Sequence, residues 1–327
     1  MLLPGDDRAA VAQAVQVLAR GELLGLPTET VYGLAADACR DEAVAKIYAA
    51  KGRPVGHPLI VHVASPAQVP LFASAVPPFA QRLMDAFWPG PLTLILPRLP
   101  GVATASAGGQ TSIGLRCPSH PVAQAVLQAC AAAGMPGLSA PSANLFGRVS
   151  PTQARHVHSE FGDALLVLDG GECEVGIEST IVDCTRGAPV LLRPGQITRV
   201  QIEAVCGQSL QDPATLAQPA PKASGTLESH YAPRAKVRLM DAATLAQRLQ
   251  ALGPHANNLG LWSRRAPEGG AGVLWRQQAE QARTAAHDLF AVLRDLDARG
   301  VQQIWVELPP DTPEWEGVRD RLQRAAA

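Results

Sequence analysis

The sequence predicts an α/β protein in two parts: an N-terminal twisted mixed sheet layered with helices, then a small doubly wound α/β domain of Rossmann-like type. Three observations carry that expectation. Short runs rich in branched apolar residues alternate with helical periodicities along most of the chain. The length of 327 residues exceeds what one hydrophobic core usually holds, about 250–300 residues. Residues 208–235, with prolines at 213, 219, 221 and 233, have no apolar period and read as a linker between a domain spanning 1–207 and one spanning 236–327.

Asp6 and Asp7 open an apolar-periodic run that stops at Gly21, which predicts a helix with an acidic N-terminus. ELLGL (22–26) is a short strand running into PTET. Asp41 can cap the helix DEAVAKIYAA, and the residue before Pro54 is kept out of the helical region, so 51–58 is a loop. LIVHV (59–63), LTLILP (92–97), SIGLR (112–116), ALLVLD (164–169), STIVD (179–183) and VLLRP (190–194) read as strands, with helices in 120–134, 152–162 and 197–207. Several of these strands follow one another too closely for crossover helices, so the sheet is mixed rather than parallel throughout. Beyond the linker come KVRLMD, a helix to about Leu252, NLGLWS, a helix from Gln277 to Arg299, QIWVEL and a last helix. That strand–helix alternation predicts parallel strands with right-handed crossovers.

Composition narrows the function. Lys plus Arg total 28 against 29 Asp plus Glu, with no contiguous basic run, so the electrostatic footprint of a dedicated nucleic-acid binder is missing. The six cysteines form no CxxC pair and no metal-ligand spacing, and read as reduced, mostly buried thiols. The first ten residues lack a basic segment followed by a long apolar one, so neither a signal peptide nor a membrane span is expected, and the location is expected to be cytoplasmic. A Walker-type GxxxxGK loop, a GxSxG elbow and a GxGxxG turn are all absent, so any phosphate is handled by other means.

Five polar segments, each following a short strand, carry the chemistry, because open α/β sheets place ligands beyond strand ends. PTETVYGL (27–34) offers Thr28, Glu29, Thr30 and Tyr32; on its own it could equally be a turn with Glu29 solvated. KGRPVGHPLIVHV sets Lys51, Arg53 and His57 on a proline-stiffened loop and His62 on the next strand. An ammonium and a guanidinium held on a rigid loop suit polyphosphate, although a charged loop is often only a solvated face and a lone strand histidine is often core. SIGLR places Ser112 and Arg116 on one strand, where a buried Arg needs a carboxylate or phosphate partner; a structural salt bridge is the alternative. LSAPSANLFGRVSPT contributes Ser139, Ser142, Asn144 and Ser150, and GIESTIVD with VLLRPGQI contributes Ser179 and Arg193.

In order along the chain, PTETVYGL, KGRP with PLIVH, WPGPLTLIL, SIGLR, SAPSAN, SPT, GIESTIVD, LRPG and the linker's HYAP resemble the YrdC-like L-threonylcarbamoyladenylate synthases in their long, two-domain form. One match would be weak, whereas this ordered set is specific and spans essentially the whole chain. The resemblance implies synthesis of threonylcarbamoyl-AMP and pyrophosphate from L-threonine, bicarbonate or CO2, and ATP, for modification of adenosine 37 in tRNAs reading ANN codons. It further implies that the 208–235 linker folds over the active site and that Lys51, Arg53, His57, Ser112, Ser142, Ser150, Arg193 and Tyr231 bind ATP, with Mg2+ carried on the phosphates and no protein metal ligand. Thr30, His62, Arg116, Ala140 and Ser179 are implied for threonine, with no residue assigned as a general base. The product would pass to a tRNA threonylcarbamoyl transferase, tRNA itself being at most a weak contact. His57 stands where Asn is frequent and Phe146 where Ser is common, so those two positions depart from the pattern. A carbamoyltransferase of hydrogenase-maturation type and an RNA-binding or ribosome-assembly module are the competing readings. The first would bring CxxC zinc repeats and the second a basic, aromatic-rich face, neither of which is present.

Overall fold

Strand pairing divides the computed structural model into two sheets, and the chain packs around them as two compact units. Residues 1–211, 213, 221–225, 230–252, 258–267 and 272–327 are described. The first unit comprises Met1–Phe146 and Ser150–Thr226, and the second Gly147–Val149 and Leu227–Ala327. The residues read as one linker therefore fall partly in each unit, and residues 212, 214–220 and 226–229 of it lie outside the described residues.

In the first unit the strands are β1 (Leu2–Pro4), β2 (Leu24–Leu26), β3 (Gly33–Asp37), β4 (Ile60–His62), β5 (Leu92–Pro97), β6 (Ser112–Arg116), β7 (Leu138–Ser139), β8 (Leu166–Asp169), β9 (Thr180–Asp183) and β10 (Val190–Arg193). The helices are α1 (Arg8–Ala19), α2 (Asp41–Lys51), α3 (Pro78–Phe87), α4 (Pro121–Ala132), α5 (Ala154–Phe161) and α6 (Arg199–Cys206). They form one ten-stranded sheet in the order β1-β8-β2-β3-β7-β4-β6-β5-β9-β10. The sheet is mixed, as expected: β4–β6 and β5–β9 are parallel, whereas β2–β3, β4–β7 and β5–β6 are antiparallel.

Both faces of this sheet are covered. On β8, Leu166 and Leu168 join α1 and α4 through Ala14, Leu18, Val126 and Leu127, while Val167 joins α2 and α5 through Val44, Ile47 and Val157. Alternate side chains leave a strand on opposite faces, so a strand buried twice reads as an unbroken apolar run. Strands β1, β3 and β7 and helix α3 were not predicted. The first and third are only three and two residues long, and β3 begins inside the PTETVYGL segment that looked like a turn.

The second unit holds β11 (Lys236–Met240), β12 (Leu259–Ser263), β13 (Val273–Gln277), β14 (Gln303–Glu307), α7 (Ala242–Leu252), α8 (Ala282–Ala298) and α9 (Glu316–Ala326). Its sheet runs β11-β14-β12-β13 with every pair parallel. The expected simple alternation needs correcting, because β13 intervenes and α8 begins at Ala282 instead of Gln277. Gln277, read as the first helical residue, instead closes β13, whose branched and aromatic Val273, Leu274 and Trp275 pair in parallel with Leu259, Gly260 and Leu261. Helix α8 buries Ala285, Ala286, Leu289, Phe290, Leu293 and Leu296, the stripe that a 3.6-residue period predicts. Among the described residues no helix is long and apolar enough to cross a membrane.

Candidate active site

The site is assembled from residues beside strand ends in the first unit. Helix α2 stops where Gly52 adopts a left-handed φ of 61°, so Lys51 occupies the last helical position at the mouth of the KGRP loop. Strand register then sets a polar row: His62 on β4 lies opposite Arg116 on β6, which lies opposite Thr93 on β5. Paired residues share a face of the sheet, so all three side chains project the same way. A third approach brings Gly33 against the Ala140–Pro141 backbone, where Leu34 N–H donates to Pro141 O at 2.7 Å and a Cβ on Gly33 would stand 3.0 Å from that of Ala140. Glycine is what lets PTETVYGL lie against SAPSAN there.

Arg116 is buried and anchored at two points. Its Nη1 donates to Thr30 Oγ1 at 2.8 Å, and its Nη2 lies 2.7 Å from Glu29 Oε1, with both ion-pair side chains 5% exposed. Thr28 Oγ1 shares a hydrogen bond with Thr30 Oγ1 at 2.9 Å and donates to Val31 O at 2.6 Å, which fixes the turn. The salt-bridge alternative for Arg116 is thus realised, with Glu29 as the partner that looked solvated in the sequence. The pair nevertheless keeps open valences. Glu29 Oε2, Arg116 Nε and His62 Nδ1 are buried and have no hydrogen-bond partner among the described residues. Such atoms are rare in folded proteins and mark where a ligand or water belongs. Burial, and then the charge of Arg116, push the His62 imidazole down to about 3, so it is neutral at ordinary pH.

Ser179 links this polar cluster to a second, cationic group. Its Oγ shares a hydrogen bond with Thr93 Oγ1 at 2.7 Å and accepts one from Arg193 Nη2 at 3.1 Å, while Arg193 Nε donates to Ser179 O at 3.0 Å. Arg193 Nη1 reaches the carbonyl of Ser224 at 2.9 Å, and Ser224 Oγ donates to Pro58 O at 2.8 Å. Arg53 donates through Nη2 to Pro58 O at 3.1 Å and lies 5.6 Å over the Phe146 ring, against which His57 stacks edge-on at 5.9 Å. Lys51 is buried, donating to the carbonyls of Ser142, at 2.5 Å, and of Asn144. Burial and then the Arg53 charge lower its amine to about 7. Ser150 donates to Glu178, whose charge reaches Lys51, and Ser112 lines a small cleft with Pro58, Thr93, Gln110 and Ser224.

The first unit therefore brings together Thr30, Lys51, Arg53, His57, His62, Ser112, Arg116, Ala140, Ser142, Ser150, Ser179 and Arg193. Ala140 spends its backbone N–H on Ile60 O at 3.1 Å. Tyr231 is different: its ring is buried in the second unit, 5.3 Å from Phe290, 4.2 Å from His230 and 5.5 Å from the Arg321 guanidinium. Glu29 was among the groups that PTETVYGL offered but received no role, and Thr93, Glu178 and Ser224 were passed over. Glu29, Thr93 and Glu178 each break an apolar or hydroxyl-rich motif with a group that needs a partner; Ser224, in the linker, carried no such signal. Among the described residues no group of three His, Cys, Asp or Glu could cradle a metal ion.

A family model described as telomere recombination, covering Sua5, YciO and YrdC, matches residues 16–195, and one described as the C-terminal domain of threonylcarbamoyl-AMP synthase matches 197–327. A Bacillus subtilis protein named threonylcarbamoyl-AMP synthase is 39% identical over 97% of this chain and 92% of its own length. One of the same name from Pyrococcus abyssi is 36% identical over 96% and 93%. The crystal structure of P. abyssi Sua5 complexed with L-threonine is similar with a TM-score of 0.90 at 32% identity, covering 100% of this chain and 97% of that one.

Proposed function

The chain belongs to the Sua5, YciO and YrdC family of threonylcarbamoyl-AMP synthases, and from that premise we propose that it condenses L-threonine, bicarbonate or CO2, and ATP into threonylcarbamoyl-AMP with release of pyrophosphate. The observation that carries this reading is the junction at Ser179. There the buried polar cluster of Arg116, Glu29 and neutral His62, reached through Thr93, meets the cationic group of Lys51, Arg53 and Arg193. One side suits an amino acid and the other a polyphosphate.

In the proposed reaction the threonine amine adds to the carbon of CO2, losing its protons as the carbamate forms. A carbamate oxygen then attacks the α-phosphorus of ATP, and pyrophosphate leaves. Such a displacement is helped mainly by positioning and by fixed positive charge. Arg116, Thr30, His62, Ser179 and the Ala140 backbone are assigned to threonine. Lys51, Arg53 and Arg193 are assigned to the phosphates, with His57, Ser112, Ser142, Ser150 and Tyr231 as further ATP contacts. Mg2+ carried on the phosphates would supply further charge neutralisation beside Lys51, Arg53 and Arg193. The product is proposed to feed threonylcarbamoylation of adenosine 37 in tRNAs reading ANN codons, through a separate transferase in the cytoplasm. Incubation of the protein with all three substrates and mass spectrometry of the products tests the reading. Threonylcarbamoyl-AMP is the expected species, and its absence beside intact ATP overturns the proposal.

A further inference from the structure

We propose that Glu29 is a second anchoring residue of the amino-acid pocket: its Oε1 clamps Arg116, and its Oε2 binds the substrate's ammonium and receives the proton that the amine must lose. This rests on the amino-acid reading of the pocket given above.

The argument begins with charge. A pocket built only to hold a carboxylate needs a free guanidinium, yet Arg116 is already paired with a buried carboxylate at 2.7 Å. The pair is close to neutral, which is a poor receptor for a simple anion and a complementary one for a zwitterion. An α-carboxylate completes Arg116, whose Nε has no partner among the described residues, and an α-ammonium completes Glu29, whose Oε2 has none either. Both groups are buried, so each open valence is costly until a ligand fills it. His62 cannot take the place of Glu29, because a neutral imidazole brings no negative charge to an ammonium.

Chemistry gives the same carboxylate a second task. An ammonium has no lone pair, so its nitrogen cannot add to carbon until one N–H bond breaks. Transfer to Oε2 forms an O–H bond, leaves the electron pair on nitrogen and converts an ion pair into a neutral carboxyl and amine. The other charged or titratable groups around Glu29 are Arg116, Cys117, His120 and Cys173. Burial pushes both thiols up and the imidazole down, moving all three away from the neutral range.

Full-length wild type and Glu29→Gln, which keeps the shape and loses the charge, are titrated calorimetrically with L-threonine and with 3-hydroxybutyrate, the same molecule without its amino group. Wild type should prefer threonine by about thirtyfold or more, and the variant by less than about threefold, as expected for a lost charge pair. An unchanged preference overturns the proposal. In turnover, kcat/KM for threonine in the variant should climb about tenfold per pH unit until the free amine predominates, since solvent must then do what Oε2 does. A profile parallel to that of wild type also overturns it; Lys51 titrates in both proteins and cancels in the comparison. If the glutamine variant does not melt cooperatively, Glu29→Asp replaces it: threonine should weaken at least about tenfold and 3-hydroxybutyrate less than about threefold, and equal losses count against the proposal. The titrations contain no ATP, so a wild type that prefers threonine but makes no threonylcarbamoyl-AMP sinks only the functional reading. A productive wild type with an indifferent Glu29→Gln sinks only this one.

Discussion

Lys51 is predicted to take up a proton when nucleotide phosphates bind beside it. In the free protein, burial and then the charge of Arg53 hold its amine at about 7, against an ordinary 10.5. A neutral amine has two N–H bonds, and the carbonyls of Ser142 and Asn144 receive both, so the uncharged form is fully satisfied. A polyphosphate favours the ammonium and returns the group toward its usual range. At pH 8 the free protein then carries about a tenth of a proton at this site and the complex nearly a whole one, so uptake is about 0.9 at pH 8 and about 0.5 at pH 7. By linkage, affinity should fall by up to about tenfold, or about 1.4 kcal/mol, for each pH unit above 8. The same depressed value makes the free protein's stability rise with pH between about 7 and 10.5, where the unfolded chain holds a proton that the folded one lacks. The assay is calorimetric titration with a non-hydrolysable ATP analogue at pH 8 in buffers of different ionisation enthalpy, for wild type and Lys51→Met. Uptake should be about 0.9 proton larger in wild type; a difference under about 0.2 with both proteins binding refutes the reasoning. If the variant no longer binds, wild-type uptake alone decides, because the terminal phosphate is largely ionised at that pH.

Three further outcomes follow from other parts of the molecule. His62 is held at about 3 against 6.5, so as pH falls below 6.5 the unfolded chain binds the proton first. Stability should drop about 1.4 kcal/mol per unit, about 2 kcal/mol by pH 5, and urea melts of His62→Gln should lack that slope. Arg116→Lys keeps a charge for Glu29 but loses the planar fork that also reaches Thr30, so threonine should weaken by about 2–3 kcal/mol with ATP affinity nearly intact; calorimetry giving the reverse order would move Arg116 to the nucleotide. Tyr231→Ala removes a ring packed among His230, Phe290 and Arg321 and should destabilise the protein by about 3–5 kcal/mol. Tyr231→Phe keeps the packing, so a weaker ATP affinity without a lower Tm would locate the nucleotide contact in the hydroxyl.

Much of this was legible because particular segments had few alternatives. Runs of branched residues such as LTLILP and STIVD have one low-energy use in a covered sheet, and Pro54 announces the end of α2, although the helix holds on to Lys51, read as a loop residue, and stops at Gly52. What stayed hidden depended on partners distant in sequence. The two-residue β7 exists because β3 and β4 flank it, and β13 because β12 offers it a parallel ladder. Glu29 looked like a solvated turn residue until Arg116, which lies far along the chain, was brought 2.7 Å away by the sheet. Tyr231, in the linker's HYAP, is an aromatic with a hydroxyl and suits a ligand contact and a packing contact equally. The Phe290 and Arg321 that bury it come from helices whose placement no local pattern reveals.

Pyrophosphate release, measured with L-threonine, bicarbonate and ATP all present and with each omitted in turn, tests the central claim most directly. A pocket that joins an amino-acid site to a phosphate site through Ser179 should release pyrophosphate only when all three are supplied, with each omission reducing the rate to background. Equal release without threonine would show ATP cleavage independent of the amino-acid pocket and would contradict the account.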